Sequence, residues 1–128
     1  MIIGIGTDIV EVERIERSLA RNPQRFAQRI LSENEYTKFK ESKFPERFLA
    51  KRFAAKEAFA KALGTGIGNG LNLCDIELSN SELGKPVISY IGNNEKILGA
   101  LKPETSSHIS ISDEKHYAIA FVVIEKSP

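Results

Sequence analysis

The spacing of hydrophobic and polar residues changes along the chain, from the period of a strand to that of a helix. From Ile3 to Ile9, apolar side chains alternate with Gly4, Gly6 and Asp8. This period of two predicts a strand with one face formed largely by glycine, against which another element can pack closely. From Glu11 to Asn22 the apolar residues recur at spacings of three and four, which predicts an amphipathic helix.

Three further helices are predicted before the middle of the chain. Phe26 and Ile30 lie one turn apart in the first, and the capping box formed by Ser32 and Glu35 begins the second. The longest helix runs from about Arg47 to Leu63 and ends at Gly64, a residue type that often adopts the left-handed conformation after a helix.

The second half of the chain has mainly the pattern of strands. Four segments predict strands, namely "CDIELS", "KPVISY", "HISIS" and "YAIAFVVIE", and "NNEKILGAL" predicts a short helix between them. We therefore expect a single domain spanning residues 1–128, with an α+β fold in which an antiparallel sheet carries helices on one face.

Composition narrows the classes of partner and compartment. The 128 residues, 41% of them hydrophobic, suffice for one packed core, and a formal charge of +1 gives no long-range attraction to nucleic acid or anionic membrane. The lone Cys74 excludes an internal disulfide and a cysteine-built zinc site, and is most simply a small core residue in a strand.

The opening "MIIGIGTDIV" lacks a basic flank and contains Asp8, so it matches neither a signal peptide nor a membrane span. We expect a cytoplasmic protein with no nucleic-acid or membrane partner.

Candidate chemistry lies on the longest helix, which has apolar residues on two nearly opposite sides and should therefore be central. Glu57 and Lys61 lie one turn apart on one of these sides. One interpretation is an ordinary ion pair between them, which contributes about 0.3–0.5 kcal/mol. The other is that the glycine face of the first strand admits this helix, so that Asp8 and Glu57 meet.

Two carboxylates without histidine or cysteine form an oxygen-only site suited to magnesium, which keeps several waters and binds substrate phosphates. Lys61 could reach the same phosphates. The following loop, "GTGIGNG", offers backbone amides to an anion, although by itself it is only a helix terminator. It matches neither the Walker nor the dinucleotide-binding pattern, which argues against a nucleotide hydrolase or a dehydrogenase.

These residues stand in blocks that resemble the holo-acyl-carrier-protein synthase family, the short single-copy class of 4′-phosphopantetheinyl transferases. The blocks are "GIGTDIVEVERI", "RFAAKEAFAKALGTGIG", "LGKPVI" and "HISISDEKHYAIAFVV", and they span nearly the whole chain in order. The resemblance implies magnesium-dependent transfer of 4′-phosphopantetheine from coenzyme A to a serine of apo acyl carrier protein, in support of fatty acid biosynthesis. The second product is adenosine 3′,5′-bisphosphate.

The resemblance also implies roles for single residues. Asp8 and Glu57 match the metal-binding carboxylates, and Lys61 matches the lysine near the coenzyme's phosphates. Glu57 is the candidate general base, acting directly or through a metal-bound water. The residues implied in binding coenzyme A are Lys61, Gly64, Lys85, Pro86 and His108. From spacing alone, His108 could equally be structural, and turn chemistry explains Lys85 and Pro86.

Arginines recur every three or four residues in the first two helices, with glutamates interspersed, a pattern typical of a solvated charged face. The resemblance instead places Arg14 in a helix that docks the acidic carrier protein, and together with the arginine spacing it leads us to expect Arg14 and Arg21 as the docking residues. It further implies a homotrimer with the site between protomers. Two rival functions remain from the sequence: a magnesium-dependent phosphohydrolase using the same carboxylates, and a non-catalytic binding module in which they are structural.

Overall fold

The computed structural model describes residues 1–101 and 104–128, and its helices and strands follow the predicted order. The helices are α1 (Val12–Arg21), α2 (Pro23–Ile30), α3 (Glu33–Glu41), α4 (Pro45–Leu63) and α5 (Glu95–Ala100). The strands are β1 (Ile2–Glu11), β2 (Ile76–Asn80), β3 (Pro86–Tyr90), β4 (Thr105–Asp113) and β5 (Tyr117–Lys126). The predicted α+β class is confirmed.

The antiparallel strands divide into two sheets instead of the one that was expected. The long strands form a three-stranded sheet in the order β1-β5-β4, and the short strands form the β2-β3 hairpin. In the first sheet Asp8 pairs with Ala120 and His108 pairs with Val123. Because β5 is central, β1 and β4 lie on either side of it and present their side chains to the same two faces.

Cys74 does not lie in a strand, as its sequence context predicted. It belongs to a single 3₁₀ turn, Leu73–Asp75, and its side chain is partly exposed. The turn forms because the Asp75 N–H donates to the carbonyl of Asn72, which delays the start of β2 until Ile76. Cys74 is therefore not a fully buried core residue.

Helix α4 lies at the centre of the fold, as its two apolar sides predicted. It packs across one face of the three-stranded sheet, which we call the inner face, where the residues from Ala118 to Ile124 at alternate positions are fully buried. It begins at Pro45, and its C-cap is Gly64, with φ of 81°. The capping box at Ser32 and Glu35 is also formed, with both reciprocal hydrogen bonds present.

The close approach of α4 to β1 depends on glycine. A Cβ atom placed on Gly6 would overlap the carbonyl oxygen of Ala58, and one on Gly4 would overlap that of Ala62. Only residues without a side chain therefore allow the two backbones to pack at this distance. The glycine face predicted from the alternation in β1 is the face that meets the helix.

The opposite face of the three-stranded sheet, here called the outer face, is exposed and partly apolar. Ile5 and Ile9 of β1 are each 60% exposed, and Phe121 of β5 is 44% exposed. Such a continuous apolar surface is unusual for a protein that acts as a monomer. Within the described part of the chain, no helix combines the length and apolar composition needed to cross a membrane.

Candidate active site

Asp8 and Lys61 meet at the junction of β1 and α4. Asp8 is on the inner face of β1, in the same alternation as Gly4 and Gly6. The Lys61 Nζ lies 3.2 Å from the Asp8 Oδ1 and donates to the Thr7 carbonyl oxygen at 2.9 Å. The ion pair of Lys61 is thus made with Asp8 of the neighbouring strand and not with Glu57 one turn away, so the simple intrahelical pair is not the arrangement found.

Glu57 lies beside this pair, partly buried and one turn before Lys61 on α4. Burial raises the pKa of Glu57 above its ordinary value, and the negative charge of Asp8 raises it further. The positive charges of Lys61 and Arg14 act in the opposite direction. Asp8, Glu57 and Lys61 therefore form one electrostatic group, as the sequence predicted, and Arg14 of α1 lies close enough to influence it.

The backbone contact between β1 and α4 explains why so short a side chain as Asp8 can reach the helix. With Gly4 and Gly6 against the carbonyls of α4, the strand lies directly on the helix surface. Asp8 continues the same face by the period of a strand, while Glu57 and Lys61 share one side of the helix by its i,i+4 spacing. Two local periodicities thus place three charged groups together.

The donor set fits magnesium. Two carboxylates close enough for one to raise the pKa of the other repel each other, and a divalent cation between them would relieve that repulsion. Over residues 1–101 and 104–128, no group of three or more histidine, cysteine, aspartate or glutamate side chains forms a complete metal cage. Magnesium held by Asp8 and Glu57 would therefore take its other oxygen ligands from water and a phosphorylated substrate.

Gly64 follows Lys61 by less than one helical turn and begins the glycine-rich loop. Its N–H bonds to the carbonyls of Ala60 and Lys61, and the N–H of Gly66 also bonds to Ala60. These two amides end the helix and are occupied within the protein. The loop nevertheless leaves open space around Gly64, since a Cβ there would meet no atom within 4 Å.

The remaining residues implied in coenzyme binding lie elsewhere in the chain. His108 is on the outer face of β4, where its Nε2 lies 2.9 Å from the Glu125 Oε1, so the sheet separates it from Asp8. Lys85 and Pro86 lie in the β2-β3 hairpin. Pro86 lines a cavity of about 220 Å³ together with Lys51 and Arg52 of α4. A single chain therefore does not bring His108 to the Asp8 group.

Arg14 and Arg21 lie on α1, at different distances from the Asp8 group. Arg14 acts on the pKa of Glu57, whereas Arg21 lines a groove of about 340 Å³ with Arg25 and Arg29 of α2. Phe26 contributes an aromatic side chain to the same groove. The arginine spacing seen in the sequence thus produces a cationic surface across the two helices.

A buried ionic network on α4 was missed by the sequence analysis. The Lys56 side chain has no exposed surface, and its Nζ donates to the Glu35 Oε1 at 2.5 Å and to the Ile30 carbonyl at 2.6 Å. The Arg52 Nε lies 3.2 Å from the Glu35 Oε2, at ion-pair distance but without hydrogen-bond alignment. Burial lowers the pKa values of Lys56 and Arg52, and the charge of Glu35 opposes that effect. The one available signal was a lysine inside an alanine-rich run.

The chain is similar over nearly its whole length to proteins of known identity. A family model described as the 4′-phosphopantetheinyl transferase superfamily matches residues 4–122. The holo-[acyl-carrier-protein] synthase of Vibrio parahaemolyticus is 54% identical over 124 residues, which cover 97% of this chain and 98% of that protein.

Solved structures agree in fold as well as in sequence. The holo-[acyl-carrier-protein] synthase of Neisseria meningitidis superimposes with a TM-score of 0.87 at 44% identity, covering 98% of this chain and 100% of that one. The holo-(acyl-carrier-protein) synthase of Bacillus anthracis, in complex with CoA (3′,5′-ADP), gives a TM-score of 0.83 at 43% identity, covering 99% of both chains. The likeness therefore extends over the full length of these proteins.

Proposed function

The chain belongs to the 4′-phosphopantetheinyl transferase superfamily, and we propose that Asp8, Glu57 and Lys61 carry out its reaction. It transfers the 4′-phosphopantetheine group of coenzyme A to a serine of apo acyl carrier protein. The single observation that supports the assignment of residues is the convergence of two carboxylates and one ammonium at the contact between β1 and α4. A site of this composition suits phosphoryl transfer, where catalysis depends on positioning and charge neutralisation.

In this proposal Glu57 accepts the proton of the carrier's serine hydroxyl. The serine oxygen forms a bond to the phosphorus that carries the pantetheine, and the bond from that phosphorus to the other phosphate breaks. The leaving group departs as adenosine 3′,5′-bisphosphate. Because burial and Asp8 raise its pKa, Glu57 binds a proton more readily than an exposed glutamate does.

Asp8 and Glu57 would hold magnesium, which when bound neutralises charge on the pyrophosphate oxygens. The side chain of Lys61 is 53% exposed, so it can turn from Asp8 toward a phosphate with little loss of packing. Its ammonium then stabilises charge on the transferring and leaving phosphates. The open space around Gly64 would allow the coenzyme to approach the end of α4.

We further propose that the coenzyme lies between subunits of a homotrimer. His108 and Asp8 are on opposite faces of one sheet, so a coenzyme in contact with both is placed most directly between two protomers, with one residue from each. The outer face supplies an apolar surface for such an association. In the cavity beside Pro86, Lys51 supplies a cation for a phosphate of the nucleotide half, while Arg52 is paired with Glu35 and Asp113 adds a carboxylate.

Arg14 and Arg21 form the proposed docking surface for the carrier protein. Their placement beside the Asp8 group and along the cationic groove would guide an acidic partner toward Glu57. The cytoplasmic location inferred from the sequence belongs to the same proposal, since both substrates must meet the protein in one compartment.

The decisive assay incubates the protein with coenzyme A, magnesium and apo carrier protein, and weighs the carrier by mass spectrometry. We expect the carrier to gain the mass of one phosphopantetheine, and a carrier whose acceptor serine is replaced by alanine to gain nothing. Release of inorganic phosphate from coenzyme A without any carrier would support a phosphohydrolase instead. No reaction in either case, with coenzyme A still bound, would support a binding module.

The docking surface is tested with Arg21→Glu. Reversing this charge should raise the KM for the carrier about tenfold or more and leave the KM for coenzyme A within about twofold, since Arg21 lies away from Glu57. Arg14 is a poorer choice because its charge also acts on Glu57. Equal changes in both KM values for Arg21→Glu would contradict the assignment.

A further inference from the structure

One carboxylate, that of Glu35 in α3, connects its own helix to α4 and β2. The Glu35 Oε1 of α3 accepts from Lys56 of α4 and from the Ser32 N–H at 2.9 Å, while its Oε2 accepts from the Leu78 N–H of β2 at 3.1 Å. Lys56 also donates to Ile30 at the end of α2. Through Lys56, α4 is therefore attached to a frame made of α2, α3 and β2.

The opposite contact of α4, with β1, fixes less of its position. There Gly4 and Gly6 lie against the backbone carbonyls of Ala58 and Ala62. A surface without side chains sets the distance between helix and strand, but it offers few ridges that would resist rotation or sliding of the helix. Besides the contacts of Lys61 with Thr7 and Asp8, bonds on the other side of α4 can therefore contribute to its position along β1.

Lys56 is well placed to set that position. It immediately precedes Glu57, so the two side chains leave the helix about 100° apart. If Lys56 is held in a fixed direction by Glu35, the direction of Glu57 is fixed as well. A whole buried ion pair is often no more stabilising than a set of apolar residues of the same size. Stability alone therefore does not explain why this pair is present.

We propose that Glu35 and Lys56 are positioning residues for the transfer reaction, and that their buried pair sets the rotation and axial position of α4 and thereby the placement of Glu57 against Asp8. This inference rests on the proposed function. It assigns no contact with substrate to either residue, and both act through Glu57. It also explains why an alanine-rich helix made for close packing carries a lysine with no exposed surface.

The test is Lys56→Met, which keeps an unbranched side chain out to Cε and removes the ammonium. The thermal midpoint should fall, because the buried Glu35 loses one of its partners. In the fraction that is folded by circular dichroism we expect kcat to fall about 10- to 100-fold, while the KM values for coenzyme A and carrier change less than about twofold. Calorimetry in the presence of coenzyme A should show magnesium binding weakened about tenfold, since its two carboxylates are misplaced. A purely structural role would lower the thermal midpoint and leave kcat and magnesium affinity unchanged.

A matched control is Ile97→Ala, which removes a buried side chain from α5. Assayed below its unfolding transition, this variant should be less stable but retain the wild-type kcat and magnesium affinity. If Lys56→Met does not fold, Glu35→Gln is the second variant, because it keeps the shape of the side chain and removes the charge. It should show the same pattern, and if neither variant folds, the pair is required for folding and the positioning role is refuted.

The outcomes separate this inference from the function on which it rests. A wild-type protein that does not modify the carrier contradicts the proposed function. An active wild type together with a Lys56→Met variant of unchanged kcat and magnesium affinity contradicts the positioning role alone.

Discussion

Glu57 lies in surroundings that disfavour its negative charge. Its pKa is raised by burial and by Asp8, so the folded state binds a proton at this position more readily than the unfolded chain does. The contribution of Glu57 to the free energy of unfolding is therefore most favourable below the ordinary pKa of glutamate, about 4.3. It becomes less favourable as the pH rises through the higher pKa of the folded state. This unfavourable charge is consistent with a residue selected to bind a cation and accept a proton.

Replacing Glu57 by glutamine removes the charge and keeps the shape. In buffer with a metal chelator at pH 7, we expect Glu57→Gln to raise the thermal midpoint by a few degrees at most, because the residue is only partly buried. Near pH 4 the difference in thermal midpoint between the variant and the wild type should be smaller, since the wild-type carboxyl is increasingly protonated there. Thermal unfolding followed by circular dichroism at both pH values measures the difference, and a lower midpoint at pH 7 would show that Glu57 stabilises the fold.

Asp8 should matter far more to turnover than to folding. Its ion pair is made with a half-exposed lysine, Lys61, and therefore contributes little to stability. Asp8→Ala should lower kcat at least about 100-fold, since loss of a metal ligand removes several kcal/mol of charge stabilisation, and Glu57→Ala should do the same. The mass-spectrometric assay measures the rates, with circular dichroism as the check of folding.

Glu11 offers a control for these two variants, because it is an exposed carboxylate on the same strand as Asp8 and pairs only loosely with Arg17 at 3.9 Å. Glu11→Ala should retain most of the wild-type activity. If Asp8→Ala or Glu57→Ala keeps near wild-type turnover at low magnesium concentration, the assignment of the metal ligands is wrong.

At the scale of secondary structure, the site depends on the contact between β1 and α4. Gly6→Ala places a methyl group against the Ala58 carbonyl, and the helix must move away from the strand to accommodate it. We expect a loss of several kcal/mol in the free energy of unfolding, measured by urea titration, or failure to fold. The helix cannot move without separating Glu57 from Asp8, so activity should also fall in any folded fraction.

Gly99 provides the matched substitution. It lies within α5, where an added Cβ would meet no atom within 4 Å. Gly99→Ala should therefore leave activity unchanged and increase stability by up to about 1 kcal/mol, as expected for alanine in place of glycine within a helix. If Gly6→Ala and Gly99→Ala behave alike, close backbone packing is not what requires glycine in β1.

The sequence predicted those elements whose signals are local. The alternation in β1, the capping box at Ser32 and the left-handed Gly64 each depend on residues a few positions apart, and each was found as expected. The β1-α4 contact was also predictable, since a glycine face has few other uses. The closeness of the two carboxylates, Asp8 and Glu57, follows from the strand period of β1 and the helix period of α4.

Other features depend on residues that are distant in sequence and carry no local signal. Lys56 and Glu35 are 21 positions apart, and nothing in either segment identifies the other as its partner. Lys61 has an eligible carboxylate one turn away on its own helix, yet pairs with Asp8, 53 positions distant. The division into two sheets likewise depends on the pairing of strands that are distant in sequence, β1 with β5, and not on the alternation within any one strand.

At the scale of the whole molecule, the outer face of the three-stranded sheet remains to be covered. Ile5, Ile9 and Phe121 expose apolar surface there, and His108 lies among the polar residues of β4 on the same face. A face that carries both an apolar patch and a candidate coenzyme ligand is more consistent with an interface than with free surface. In a closed ring, each such interface would join the outer side of one protomer to the Asp8 group of the next.

A site shared between protomers predicts a specific result for mixtures of inactive variants. If His108→Ala removes a coenzyme contact and Glu57→Ala removes the base, each homotrimer has one defect in all of its sites. After subunit exchange, some interfaces pair an intact His108 with an intact Glu57, so the mixture should recover a measurable fraction of the wild-type rate, well above the sum of the separate variants. Mass spectrometry of the intact assembly confirms the exchange, and the carrier assay measures the rate. Proven exchange without recovery, or light scattering that shows a fully active monomer, would contradict the shared site. The transfer reaction itself would stand, because the roles proposed for Asp8, Glu57 and Lys61 do not require a second protomer.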